Sequence, residues 1–190
     1  MPGLGYSDSD LERIRSLAGG KIGRAKDVER VIDSLGYLAD WRSDYKIQSV
    51  RSSLQSGIVT CIDAAILSYG LFELFLPQVK RRLLAIHRRD AAGEECGHCV
   101  TLYWEGVGVG AISKSSFAGL NHREPVFEDE HAVALSFARS YLKMNITPLY
   151  YGITSLDEVA GSDLDWRFAE GNLIAISDRL IERYEYGFDL

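Results

Sequence analysis

An α+β fold is predicted by three observations. Helical apolar spacing dominates the chain up to residue 76, and strand-like alternation takes over after Pro77. Helical spacing returns after residue 129, so helices and strands are segregated along the chain rather than alternating. The third observation is the stretch 61–76, which is apolar on almost every side and interrupted only by Asp63, Gly70 and Glu73. Such a helix is expected at the centre of the molecule, buried against an antiparallel sheet.

The elements follow in order. Ser7 or Asp8 can cap a first helix with Leu11, Ile14, Leu17 and Ala18 on one face, stopped by Gly19-Gly20. Val28, Val31, Ile32, Leu35 and Leu38 mark a second over 25–39, and 45–54 reads as a third. A break at Gly57 precedes the central helix, which Pro77 ends because proline cannot continue the backbone ladder. Residues 79–88 contain Leu83-Leu84-Ala85-Ile86, apolar on both faces as an interior strand requires. Small and acidic residues make 90–97 a loop. Residues 98–105 then alternate, and Gly106-Val107-Gly108 turns the chain into a returning strand over 109–113. A loop with Lys114, Gly119 and Pro125 leads to a helix starting at Asp129 or Glu130. An edge strand over 147–153 and a last helix over 172–184 complete the chain.

Composition sets outer bounds. With 190 residues and 46% hydrophobic content, one core and one domain are expected. That domain divides into N-terminal helices (1–55), core helix and sheet (56–115) and peripheral helices (116–190). A net charge of −6 and the lack of any long basic block speak against a nucleic-acid partner. The first residues carry neither a basic nor an apolar leader, and the central helix is too short and too acidic for a bilayer. A cytoplasmic protein with no membrane partner is therefore expected. Gly106, Gly108 and Gly110 follow a strand but open no helix, so no phosphate loop and no cofactor are expected. Nothing in the sequence sets the oligomeric state.

The chemistry centres on thiols. Three cysteines in a chain of cytosolic character point to thiol chemistry or metal binding rather than structural disulfides. Cys61 lies in the first turn of the central helix, where converging N–H groups and the helix dipole favour a thiolate. The alternative is a small core cysteine. His98 opens a strand and is the candidate base.

The segments Gly57-Ile58-Val59-Thr60-Cys61-Ile62-Asp63-Ala64-Ala65, Gly97-His98-Cys99-Val100-Thr101-Leu102-Tyr103 and Val109-Gly110-Ala111-Ile112-Ser113 together resemble the transglutaminase-like superfamily. The resemblance covers about residues 55–115 and implies a papain-like core performing cysteine-dependent acyl transfer, most simply hydrolysis of a peptide or side-chain amide. It implies Cys61 as nucleophile, His98 as base, and an acid near the end of the following strand. Here the chain departs from the pattern: the position falls at or near Ser113, whose hydroxyl can orient an imidazole but cannot stabilise its charge as a carboxylate does. Glu105 or Glu128 is the alternative acid. Gln55 and the Cys61 N–H are candidate oxyanion donors, Gln55 by analogy with papain-like sites. The missing acid leaves a rival open, a catalytically impaired binding module on the same fold.

Two further readings concern the same residues. Cys96-Gly97-His98-Cys99 has the spacing of a thiol–disulfide oxidoreductase, but strand-like residues follow it where that chemistry needs a helix. Cys61, Cys96, His98 and Cys99 include enough ligands for zinc. A strand, however, sends His98 and Cys99 to opposite faces, so no metal is expected. His87, His122 and His131 read as surface or capping residues.

Overall fold

The computed structural model describes residues 5–39 and 45–188; residues 1–4, where part of the leaderless reading lies, are outside them. Helix α1 (Asp8–Ala18) starts at a reciprocal cap between Ser7 and Asp10 and ends at Gly19, whose φ of 73° suits glycine. Helix α2 (Ala25–Ser34) is shorter than the predicted 25–39. Leu35 is extended, and strand β1 (Gly36–Tyr37) takes over, pairing in parallel with β2 (Ile58–Val59). Helix α3 (Val50–Ser56) begins five residues later than predicted, because the Ser49 hydroxyl caps it by accepting from the Ser52 N–H at 3.2 Å.

Helix α4 (Cys61–Phe75) is the predicted central helix, and every residue from Cys61 to Phe72 is buried. Thr60 caps it. The Thr60 N–H donates to Asp63 Oδ2 at 2.8 Å, and its hydroxyl accepts from the Asp63 N–H at 3.4 Å. Asp63, the polar position in the sequence pattern, is itself fully buried. At Gly70 a side chain has no room: a Cβ there would come within 2.7 Å of Val50 Cγ2.

The remaining elements are β3 (Arg81–Arg89), β4 (Glu95–Glu105), β5 (Gly108–Ile112), β6 (Arg123–Phe127), α5 (Glu130–Lys143), β7 (Thr147–Thr154), α6 (Leu156–Ala160), α7 (Ile174–Ile181) and β8 (Tyr186–Gly187). The strands β3 to β8 form one antiparallel sheet ordered β6-β5-β4-β3-β7-β8. Three sequence expectations are corrected here. Strand β4 reaches back to Glu95, so Cys96 and Gly97 are paired with Arg88 and His87 rather than lying in a loop. Strand β7 is flanked by β3 and β8 and is not an edge. Strand β6 and helix α6 occupy segments with no predicted element.

The sheet buries both faces. Leu83, Ala85, Cys99, Thr101 and Tyr103 face α4, while Leu84, Ile86, Val100 and Leu102 join the core formed with Val133, Phe137 and Tyr141 of α5. Two hydroxyls lock α4 in register on β4: Ser68 Oγ donates to Thr101 Oγ1 at 2.9 Å, which donates to the Ala65 carbonyl at 2.7 Å. The α+β class and the buried helix on an antiparallel sheet are what the structure shows. Among the described residues no helix is long and apolar enough to cross a membrane.

Candidate active site

Cys61 reaches the sheet because β5 is short. In β4 the even-numbered N–H groups point to β3, as the 3.1 Å bond from the Trp104 N–H to the Lys80 carbonyl shows. The Cys99 N–H therefore points the other way, past the end of β5 at Ile112, and the head of α4 occupies that gap. The Cys99 N–H and the Ile62 N–H both favour the Cys61 thiolate. The head of the helix is held by Asp63, whose carboxylate accepts from the Thr60 N–H and hydroxyl, from the Gln48 N–H at 2.8 Å and from the Tyr45 hydroxyl.

His98 lies on the α5 face of β4, packed on Phe137 and Tyr141, with ring centroids 5.9 and 6.3 Å apart. By register Ser113 falls opposite Val100 on the same face, diagonal to His98. The His98 Nε2 to Ser113 Oγ distance is 2.8 Å, and Ser113 Oγ lies 2.8 Å from the Leu120 carbonyl. A carbonyl only accepts, so the serine hydroxyl donates to Leu120 and accepts from His98. That assigns the proton to Nε2 and leaves Nδ1 as the basic nitrogen. Behind Ser113, its N–H donates to His122 Nδ1 at 3.2 Å, and His122 Nε2 is 2.9 Å from Asp33 Oδ1. His122, read from sequence as a surface residue, instead braces the loop that carries Ser113.

Cys61 and His98 both line two cavities. The larger, about 650 Å³, opens on the α7 side between Ala85, Cys99, Leu180 and Tyr184, with Asp90 and Glu94 at its rim. The smaller, about 170 Å³, lies on the α5 side and includes Tyr37, Arg88, Leu120 and Tyr141. Burial dominates the electrostatics between them. It pushes the Cys61 thiol up to about 11, with the Asp63 carboxylate adding to it, against the two N–H groups and Arg88. It holds His98 down to about 3, with Arg88 and Arg123 acting in the same direction and a bond to the Leu120 carbonyl acting against them. Burial thus favours the thiol over the thiolate and the neutral imidazole over the imidazolium. Burial opposes the thiolate expected from the helix N-terminus, because desolvation of the charge outweighs the two N–H groups that favour it.

No family model and no curated relative matches the chain in sequence. Among solved structures the chain is similar to Legionella pneumophila LapG, at 15% identity and TM-score 0.44, over 95% of this chain and 92% of that one. A calcium-bound form of LapG matches at 15% identity and TM-score 0.41, over 90% and 87%. A TGase crystal structure matches at 11% identity and TM-score 0.38, over 69% of this chain and 39% of that one.

The other sequence candidates are not brought to Cys61. Gln55, the oxyanion candidate, is exposed on α3 and borders neither cavity. Glu105 and Glu128 are exposed, and His98 is bonded to Ser113 rather than to a carboxylate. Cys96 and Cys99 lie three residues apart within one strand and on opposite faces, about 10 Å by strand rise, which is beyond disulfide reach. All three thiols are free. Among the described residues no three His, Cys, Asp or Glu side chains converge as a metal site. Sequence reasoning missed Arg88, Tyr37 and Tyr141. Asp63 was within reach, since Thr60-Ile62-Asp63 spacing before an apolar run is a capping signature.

Proposed function

We propose that the protein is a cysteine-dependent acyl-transfer enzyme of transglutaminase-like type, acting on an amide and most simply hydrolysing it. The observation that supports this reading is the His98–Ser113–Leu120 chain, which holds the imidazole through Nε2, together with the cavity that Cys61 and His98 both line. In the reaction Cys61 Sγ bonds to the substrate carbonyl carbon as His98 Nδ1 takes the thiol proton. The carbonyl electron pair moves to oxygen, against the Cys61 N–H at the head of α4. The proton then passes from His98 to the departing amine, and water, deprotonated by the same nitrogen, releases the acyl group. A neutral resting pair suits a neutral third member: Ser113 orients the ring without holding it as imidazolium at rest.

The test uses p-nitrophenyl acetate as an acyl donor. A nitrophenol burst with acetate mapped to Cys61 by mass spectrometry is expected, lost in Cys61→Ala. An acetyl group on Cys96 or Cys99, or no acyl-enzyme at all, returns the chain to the non-catalytic binding reading.

A further inference from the structure

The smaller cavity holds donors that the proposed chemistry does not use. Arg88 sits on β3, paired in register with Cys96 one step along the same face as His98. The register with β7 shifts between His87, opposite Tyr150, and Arg88, opposite Pro148, the kind of irregularity that re-aims a side chain. Its neighbours are all paired: Arg89 with Glu95, Arg81 with Glu73 at 3.7 Å, and Arg82 with Glu130 at 3.8 Å. Arg88 has no carboxylate among the described residues. Its guanidinium lies over the Tyr141 ring at 5.4 Å, and its Nε is buried with no hydrogen-bond partner.

A second orphan lies beside it. Tyr141 is fully buried, and its hydroxyl also lacks a partner. Arg88, Cys61, Cys96, Tyr37 and Tyr141 line the same small cavity. Buried polar groups are normally satisfied, because an unmet one is costly and an unmet charged one more so. Two residues that line one cavity thus each carry a buried unmet donor, one of them on a cation, and together they mark a place for an anionic acceptor. The guanidinium fork matches a carboxylate. A space of about 170 Å³ with tyrosine and leucine walls suits a carboxylate on a short stem rather than a bulky group.

We propose that Arg88 and the Tyr141 hydroxyl, with Tyr37 at the wall, form a carboxylate-binding subsite beside Cys61. The substrate is then an anionic amide, with a free carboxylate a few bonds from the scissile carbonyl, as in an N-acyl amino acid or a peptide C-terminus. The substrate assignment rests on the acyl-transfer reading of Cys61; the subsite itself does not.

Two measurements separate them. In Cys61→Ala, with folding checked by circular dichroism, N-acetylglycine is titrated by NMR against N-acetylglycinamide, which has the same skeleton without the carboxylate. Binding of N-acetylglycine is expected, weakened about tenfold or more by adding Arg88→Gln and by salt, with the amide analogue insensitive to both. Equal affinity with and without Arg88, or no binding when Arg88 is present, overturns the subsite. In the unmodified protein, the rate of Cys61 alkylation by iodoacetate relative to iodoacetamide should fall in Arg88→Gln. Taking the ratio cancels any change in the thiol itself, and an unchanged ratio counts against the subsite. If Cys61 reacts with neither reagent, the acyl-transfer reading fails while the N-acetylglycine titration still decides the subsite.

Discussion

Cys61 and His98 are held in opposite ways. The head of α4 is fixed by a charge: the buried Asp63 carboxylate gathers donors from Thr60, Gln48 and Tyr45. His98 is fixed by neutral groups, a serine hydroxyl and a backbone carbonyl. A carboxylate close to the thiol opposes its ionisation, and a serine on the imidazole does nothing to stabilise a positive ring. The comparison teaches that the two side chains are fixed in position by different means, and that neither the carboxylate near the thiol nor the serine on the imidazole favours the charged form of its residue.

Removing the base should have the largest effect on chemistry. His98→Gln should slow acylation of Cys61 by about 10²–10⁴-fold, read from the burst rate, because a positioned general base contributes about that much. A variant that acylates at the wild-type rate breaks the comparison on its neutral side. The next effect is on stability. Asp63→Ala strands several buried donors and should lower the urea midpoint by the equivalent of about 3 kcal/mol or more. Little change there would mean that the charged cage is dispensable.

The smallest effect belongs to the neutral side. Ser113→Ala should cost about 1–3 kcal/mol in urea unfolding, since the His98 N–H and the Leu120 carbonyl both lose their partner. The same variant sharpens the electrostatic reading through pH. His98 is depressed from its ordinary 6.5 to about 3. The unfolded chain therefore takes up a proton that the folded chain refuses, and stability falls as pH drops from about 6.5 towards 3. Cys61 is raised to about 11, so a second loss appears as pH rises from the ordinary thiol range towards 11. Ser113→Ala should leave the alkaline limb in place.

Much of this arrangement was legible along the chain, for physical reasons. An all-round apolar run over 61–76 has few options but burial, and clean alternation over 98–105 with a glycine turn fixed the register that put Ser113 near His98. What escaped was short or disguised. In β6, Arg123-Glu124-Pro125-Val126-Phe127 carries charges and a proline, as an edge strand tolerates and an interior one does not. Helix α6 has five residues, too few for a period to show. Helix α2 ends at Ser34, before Gly36, because pairing of Gly36 and Tyr37 with β2 takes the chain out of the helix. Gln55 was placed by analogy, and α3 turns it to solvent. Arg88, Tyr141 and Tyr37 come from β3, α5 and β1, and Asp33 and His122 from α2 and the loop before β6. No spacing along the chain links them; the sheet does.

The central claim is that the resting site is a neutral thiol beside a neutral imidazole protonated on Nε2. Nitrogen-15 NMR of the His98 ring, followed from pH 3 to 8, tests it directly. The account predicts one protonated nitrogen, Nε2, through the neutral range, with the second proton arriving only near pH 3. A doubly protonated ring at pH 6, or a proton on Nδ1 instead, contradicts it.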